Sequence, residues 1–230
     1  MNPWPMIGGV ASSICRETEI KGVPRKYDGK IAEEDIDGDF IWPDNGQPGD
    51  VLVLTKPLGI QLAVNCFEWL RKPGRYEEVQ SIISVEQIIS SYKIAMESMS
   101  STNYDAAKLM HKYHAHGCTD VTGFGILGHS MNLAAQQVKP VNLVIDHLPY
   151  IEHMLRVNDF LNNRFRLRLG TGAETSGGLL IMMTPEDAKE FVKEFKEVTG
   201  HTAWIIGQVV EGERKALLAE EMEMIEVKEW

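Results

Sequence analysis

One aspartate is followed directly by a glycine-rich segment whose residue types suit the binding of a nucleotide phosphate. Asp120 precedes Gly123, Gly125 and Gly128 within the segment Thr119–His129. Glycines let a backbone approach a ligand closely, and the N-terminus of a following helix favours an anion. The aspartate can hold the Mg²⁺ that bridges phosphate oxygens. The same pattern is also typical of an aspartate that only caps a helix, and the residues by themselves favour that simpler interpretation.

A second glycine-rich segment, Gly170–Gly178, ends immediately before a run of apolar residues. Its hydroxyl groups and unhindered backbone amides could together form a nest that binds an anion. A tight polar turn that leads into a strand is the alternative, and the residues alone favour it. The candidate phosphate loop within this segment consists of Thr175, Ser176, Gly177 and Gly178.

Three histidines and a cysteine precede Asp120 closely enough to suggest a zinc site. Zinc is commonly bound by histidine and cysteine at short spacings. His111 and His114, however, lie near the end of a predicted helix, where cationic side chains are favoured in any case. No second ligand pair with the usual spacing accompanies His116 and Cys118 elsewhere in the sequence. The pattern therefore disfavours zinc.

Three helices are predicted around the candidate site. Their boundaries follow from capping residues at the start and from glycine beyond the end. The predicted ranges run from the capping-box pair Ser84 and Gln87 to about Met99, from Asn103 to His114 with Gly117 ending the helix, and from a Thr122 cap towards Ala135.

Short apolar runs bounded by turn residues predict the strands, and a further helix begins with an N-cap followed by proline. In chain order these elements are the strands Val51–Thr55, Val141–Ile145 and Leu179–Met183, a helix from Thr184 and Pro185 to Gly200, and a hairpin of Trp204–Gly207 and Lys215–Leu218 around Glu211 and Gly212.

The composition is that of an ordinary soluble protein, with 43% hydrophobic residues, 24% charged residues and a net charge of -10. A surface this acidic repels phosphate backbones, so we expect no nucleic-acid partner. Three widely spaced cysteines do not form a disulfide framework and suit a reducing compartment. No signal peptide is visible, and no apolar run approaches the roughly 20 residues of a membrane span. We therefore expect a cytoplasmic protein without a membrane association.

The composition changes sharply within the first 40 residues. Residues 1–15 are small, apolar and glycine-rich, whereas residues 16–40 are charged and poor in apolar side chains. A segment of the second kind cannot bury enough surface to offset the entropy of ordering the chain. We therefore predict that residues 16–40 are a disordered acidic insertion, and that residues 41–230 form the main domain.

Four motifs occur in the same order as in the eukaryotic selenophosphate synthetases (selenide, water dikinases), and the chain is similar to this family over nearly everything except residues 16–40. A short segment near the start also resembles the end of the family's N-terminal domain, although it indicates nothing by itself; it comprises Gly8, Gly9, Val10 and Ala11. The four motifs are Pro48–Gly59, Thr119–His129, Glu174–Leu180 and Ala203–Gly207.

The resemblance implies an α+β fold of the aminoimidazole-ribonucleotide-synthetase-like type. Residues 41–230 would be its C-terminal domain, a mixed sheet packed with helices, and residues 1–15 a remnant of the N-terminal ATP-binding domain. The family converts ATP, selenide and water to selenophosphate, AMP and phosphate, and it uses Mg²⁺. Asp120 matches a metal-binding aspartate of the family, and the segment from Gly8 to Ala11 matches one that contacts ATP.

The resemblance also implies what this chain lacks. The family's catalytic lysine, its other metal-binding aspartates and its cysteine or selenocysteine are expected upstream of Met1. We therefore expect an N-terminally truncated chain that is inactive alone and that forms a homodimer, or a heterodimer with a full-length family member. The alternative function is a non-catalytic partner or regulator of a full-length synthetase.

Overall fold

A mixed sheet of six strands organises residues 41–230, the part of the chain that the structure, a computed structural model, describes. Helices pack against the sheet, which confirms the predicted α+β fold class. The predicted segments 1–15 and 16–40 lie outside the described residues, and so do Gly8, Gly9, Val10 and Ala11.

The described elements alternate between strands and helices along most of the chain. They are β1 (Val51–Leu54), α1 (Ile60–Trp69), α2 (Val85–Ser100), α3 (Tyr104–Lys112), β2 (Gly117–Asp120), α4 (Gly125–Ala135), β3 (Val141–Ile151), α5 (Met154–Phe160), a short 3-10 helix (Leu167–Leu169), β4 (Leu179–Met183), α6 (Pro185–Thr199), β5 (Trp204–Glu211) and β6 (Ala216–Val227).

The strands lie in the order β2-β4-β1-β5-β3-β6. All neighbouring strands are antiparallel except β3 and β6, which are parallel. The short strands β1 and β4 lie inside the sheet, and β4 is buried along its whole length. A continuous apolar run such as Leu179–Met183 is typical of a strand that is covered on both faces.

Each face of the sheet has its own hydrophobic core, because successive side chains of a strand point to opposite faces. Leu52 and Leu54 of β1 belong to the larger core, which also contains side chains of α1, α2, α4 and α5. Val53 belongs to the smaller core, where Met110 of α3 and Phe191 of α6 pack. The sheet is thus covered by helices on both sides, and its short central strands position the candidate site.

Two predicted helix starts are confirmed in detail. The Ser84 hydroxyl accepts a hydrogen bond from the Gln87 amide at 3.3 Å, and the Gln87 side chain accepts one from the Ser84 amide at 3.1 Å, which completes a capping box before α2. The Thr184 hydroxyl caps α6 by accepting from the Asp187 amide at 3.2 Å, with Pro185 as the first helical residue. The predicted helix after Asn103 is also confirmed, as α3.

The predicted cap of α4 is wrong. The helix begins at Gly125, the residue before it is Phe124, and no side chain caps it. The Thr122 hydroxyl lies instead 3.2 Å from Nε2 of His129, one turn into the helix. Thr122 therefore stabilises the loop before α4 and does not cap the helix.

The predicted hairpin of the last two strands is also wrong. β5 and β6 are both present, but β3 lies between them and pairs with each. The turn residues near Gly212 correctly indicate that the chain reverses direction, since the two strands are antiparallel in direction. A reversal does not require the strands on either side of it to pair, and here β3 lies between β5 and β6 and pairs with both.

No helix within residues 41–230 is long and apolar enough to cross a membrane.

Candidate functional site

Pairing between β2 and β4 brings the two glycine-rich segments side by side. Asp120 at the end of β2 is opposite Leu179 at the start of β4. Just beyond this pair, the Val121 amide donates a hydrogen bond to the Gly178 carbonyl at 2.9 Å. The contact is close enough that a Cβ atom on Gly177 would lie 1.8 Å from the Val121 carbonyl oxygen. Only glycine therefore fits at position 177, and Asp120 and the candidate phosphate loop lie side by side.

Three of the four carbonyl groups of the candidate phosphate loop are engaged by donors from neighbouring elements. Three consecutive carbonyl oxygens accept hydrogen bonds: Ser176 from Lys56 Nζ at 2.9 Å, Gly177 from Asn103 Nδ2 at 3.0 Å, and Gly178 from the Val121 amide at 2.9 Å.

The amide groups of the same loop are open. Within the described part of the chain, the backbone N–H groups of Thr175, Ser176, Gly177 and Gly178 donate to no protein acceptor. Ser176 adopts a left-handed conformation with φ of 50°, and both Thr175 and Ser176 are exposed. Successive amides in a turn that includes a left-handed residue can converge on an anion. The loop therefore has amide donors without protein acceptors, which an anion nest requires.

The Asp120 carboxylate is available to a cation. Its side chain is 32% exposed, and Nδ1 of His129 lies 3.9 Å from Asp120 Oδ1. No hydrogen bond to its carboxylate oxygens is present among residues 41–230. No set of three or more potential metal ligands occurs in the same residues. Mg²⁺ is commonly held by one or two carboxylates together with phosphate oxygens, so this single carboxylate beside an anion nest fits that ion.

His129 organises the loop that joins Asp120 to α4. The Phe124 amide donates to Nε2 of His129 at 3.4 Å, so Nε2 is an acceptor and the proton of the neutral ring is on Nδ1, the side that faces Asp120. Burial lowers the pKa of His129, and the charge of Asp120 partly opposes that shift. Burial thus favours the neutral imidazole, which fixes the loop through its contacts with Thr122 and Phe124.

Lys56 is a residue of the site that the sequence patterns did not single out. Its side chain is buried, and its ammonium group donates to three backbone carbonyls, those of Ser98 at 2.8 Å, Ser101 at 2.6 Å and Ser176 at 2.9 Å. Burial lowers the pKa of Lys56 to about 8. It lies within the motif Pro48–Gly59, one residue after the predicted strand Val51–Thr55, and neither feature indicates its acceptors.

Glu174 is the second residue whose role the sequence did not indicate, although it begins one of the four motifs. Its two carboxylate oxygens accept hydrogen bonds from the amides of Gly59 at 2.7 Å and Ile60 at 2.9 Å, at the start of α1. Burial raises the pKa of Glu174 to about 8, and the two amide donors oppose that shift. A carboxylate at a helix N-terminus also complements the helix dipole. Glu174 thus fixes the start of the phosphate loop to α1.

The four residues considered for zinc do not come together. Nδ1 of His116 lies 2.7 Å from Asp50 Oδ2, and Cys118 is buried within β2. His111 and His114 lie at the end of α3 and in the turn after it. Within residues 41–230, no cluster of potential metal ligands includes any of these four residues.

Comparison with known proteins identifies the class to which this fold and site belong. Residues 47–220 match the family described as "AIR synthase related protein, C-terminal domain". The match covers most of the chain, and the chain belongs to this family.

Three curated relatives of this chain are named as selenide, water dikinases. "Selenide, water dikinase" of Dictyostelium discoideum is 48% identical over 210 residues, which are 91% of this chain and 52% of that protein. "Selenide, water dikinase 2" of Homo sapiens is 45% identical over 99% of this chain and 47% of its own length. "Selenide, water dikinase" of Trypanosoma brucei brucei is 42% identical over 99% of this chain and 54% of its own length. The chain therefore spans about half the length of these relatives.

Solved structures agree on the fold. The Escherichia coli hydrogenase maturation protein HypE is similar with a TM-score of 0.57 and 16% identity, over 80% of this chain and 50% of that one. Thiamine-monophosphate kinase from Stenotrophomonas maltophilia gives a TM-score of 0.56 and 17% identity, over 80% of this chain and 54% of its own. These two solved structures therefore share the fold of this chain.

Proposed function

We propose that this chain is the C-terminal portion of a selenophosphate synthetase, which converts ATP, selenide and water to selenophosphate, AMP and phosphate. One observation carries the proposal: a carboxylate without a hydrogen-bond donor lies beside four consecutive backbone amides without an acceptor. This pairing suits a phosphate group and the cation that neutralises it. The 48% identity to the Dictyostelium enzyme supports the particular reaction.

In this proposal each part of the site has a separate task. Asp120 would hold Mg²⁺, which when bound neutralises charge on the phosphate oxygens during transfer. The amides of Thr175, Ser176, Gly177 and Gly178 would bind a phosphate group of the nucleotide or the released phosphate. Gly8, Gly9, Val10 and Ala11 would contact ATP, as the family resemblance implies. Phosphoryl transfer depends mostly on positioning and charge neutralisation, which are the contributions that these groups can make.

The remaining catalytic groups would come from the half of the relatives that this chain does not match. The proposal therefore includes a dimer, either of two copies of this chain or with a full-length relative, and a cytoplasmic location. It also implies that the 230-residue chain alone releases no AMP from ATP.

A chimera tests the proposal. The half of the Dictyostelium relative that lies upstream of the match is joined to this chain, and the chimera and the isolated chain are each incubated with ATP, Mg²⁺ and selenide. We expect AMP release that depends on selenide from the chimera and none from the isolated chain. The Dictyostelium enzyme assayed in parallel is the positive control.

The outcomes separate the two functions considered. A folded chimera that leaves ATP intact would contradict the proposal and would favour a non-catalytic partner or regulator. Turnover by the isolated chain would contradict the need for the upstream half.

A further inference from the structure

Lys56 joins the candidate phosphate loop to the end of a helix. At the C-terminal end of α2, its ammonium group donates hydrogen bonds to the carbonyls of Ser98 and Ser101. The same group donates to the carbonyl of Ser176 in the loop. The carbonyls at a helix C-terminus lack partners within the helix and carry partial negative charge, so a cation is favoured there. No carboxylate pairs with this ammonium group within residues 41–230. Its acceptors are therefore all backbone groups.

The backbone of Lys56 is packed against the same loop. A Cβ atom on Gly178 would lie 2.6 Å from the Lys56 amide nitrogen. The neighbouring Thr55 hydroxyl accepts a hydrogen bond from the Leu179 amide at 2.8 Å, and the Thr55 amide donates to the Leu179 carbonyl at 3.1 Å. The loop can therefore shift relative to Lys56 only if these strand contacts break. The Lys56 side chain thus contacts the loop at a fixed position.

The hydrogen bond from Lys56 determines the direction of an open amide. The carbonyl of Ser176 and the N–H of Gly177 belong to one peptide group, and the peptide groups of the described chain are trans. In a trans peptide the N–H points away from the C=O. Because Lys56 binds the Ser176 carbonyl, the Gly177 amide must point to the side of that peptide group opposite Lys56. Asn103 acts in the same way on the next peptide, through the Gly177 carbonyl.

We propose that Lys56 is a positioning residue, which aims the Gly177 amide at a bound phosphate group and links that amide to the C-terminal end of α2. This inference rests on the proposed function, since it gives Lys56 a task within the same phosphate site. Burial of an ammonium group without a carboxylate is costly, and the lowered pKa of Lys56, about 8, reflects that cost. A lysine that only filled space could be replaced by an apolar side chain at no loss to the loop.

The test compares Lys56→Met with Lys93→Met in the full 230-residue chain. Methionine matches the length of lysine but removes the ammonium group. Lys93 is an exposed lysine of α2, so its variant removes the same charge from the same region without releasing a carbonyl. Backbone ¹⁵N order parameters measure the rigidity of residues 175–178 without a ligand. Chemical-shift titrations with pyrophosphate, inorganic phosphate and ATP, each with Mg²⁺, measure binding and distinguish a nucleotide from free phosphate.

We expect the Ser176 and Gly177 order parameters to fall from about 0.85 to below about 0.6 in Lys56→Met. We also expect affinity for pyrophosphate to fall by about tenfold, which is roughly the loss of one oriented hydrogen bond. Lys93→Met should match the wild type in both. If Lys56→Met does not fold, Lys56→Gln, whose amide keeps two donors, should show a smaller change in the same direction.

The possible failures are distinguishable. Absence of binding by the wild-type loop to any of the three probes would overturn the proposed phosphate site, and this inference with it. Normal binding by the wild type together with unchanged order parameters and affinity in the Lys56 variants would overturn the role of Lys56 alone.

Discussion

Two aspartates that adjoin the strands β1 and β2, which lie on either side of β4, have opposite environments. Asp50, just before β1, has a side chain that is 3% exposed; its Oδ2 atom accepts from the Gln47 amide at 2.8 Å and lies 2.7 Å from His116 Nδ1. Asp120, at the end of β2, has a side chain that is 32% exposed, and its carboxylate lies 3.9 Å from Nδ1 of His129 without a hydrogen bond.

The difference indicates which carboxylate serves the fold and which is available for a ligand. A buried carboxylate that receives its hydrogen bonds from the surrounding chain stabilises that chain, and its removal leaves donors without acceptors. A partly exposed carboxylate without donors gains its partner only from outside. Both residues are acidic and adjoin strands, so the distinction lies in their neighbours.

The largest effect is expected for Asp120→Asn in the chimera with the upstream half of the Dictyostelium relative. Asparagine keeps the shape but loses the charge that a hard divalent cation requires, so we expect selenide-dependent AMP release to fall by about 100-fold or more. The melting temperature should be unchanged, because no hydrogen bond within the described residues ends on this carboxylate.

Asp105→Asn is the matched control for that variant. Asp105 lies in the first turn of α3 and is also partly exposed, and its replacement should leave turnover unchanged. Near-normal turnover by Asp120→Asn at limiting Mg²⁺ would remove Asp120 from the metal site.

Asp50→Ala should show the reverse pattern. The substitution leaves the Gln47 amide and the His116 imidazole without their shared acceptor, so we expect the free energy of unfolding to fall by about 1–3 kcal/mol. Urea denaturation measures the loss, with Asp105→Ala as the control. Turnover per folded chimera should be retained. A stability equal to that of the wild type would show that the buried pair contributes nothing net.

A pH-dependent change in stability is expected from the titration of Glu174. The folded-state pKa of about 8 lies above the ordinary value of 4.5, so between these values the folded chain binds more protons than the unfolded chain. Stability should therefore fall as pH rises from about 4.5 to about 8, by at most about 1.4 kcal/mol per pH unit. Glu174→Gln should flatten this slope, whereas Glu190→Gln, at an exposed position of α6, should not. Urea denaturation across that range provides the slopes, and equal slopes in the three proteins would contradict the assignment.

Local signals predicted much of the fold. The caps at Ser84 and Thr184 depend on residues three positions apart, and both are confirmed. The apolar runs of β1 and β4 identified the central strands, because a strand covered on both faces needs apolar side chains at every position. These features are determined by neighbours in sequence, which is why the sequence was sufficient to find them.

Partners that are distant in sequence could not be predicted in the same way. The expected hairpin of β5 and β6 was wrong because the insertion of β3 depends on pairing across the whole domain. Lys56 meets carbonyls that are 42, 45 and 120 residues away, and no pattern around position 56 encodes them. Asp120 and the loop from Thr175 were each recognised as candidates, but their contact follows from the β2–β4 register alone.

The proposal that Asp120 and the loop Thr175–Gly178 form one metal and phosphate site can be tested directly on the isolated chain. The measurement is broadening of backbone amide signals by Mn²⁺ with pyrophosphate, compared between the wild type and Asp120→Asn. We expect the wild type to lose the signals of Asp120 and the loop together, only when both ions are present, and Asp120→Asn to retain them. Equal broadening in the two proteins, or broadening confined to other residues, would contradict a shared site.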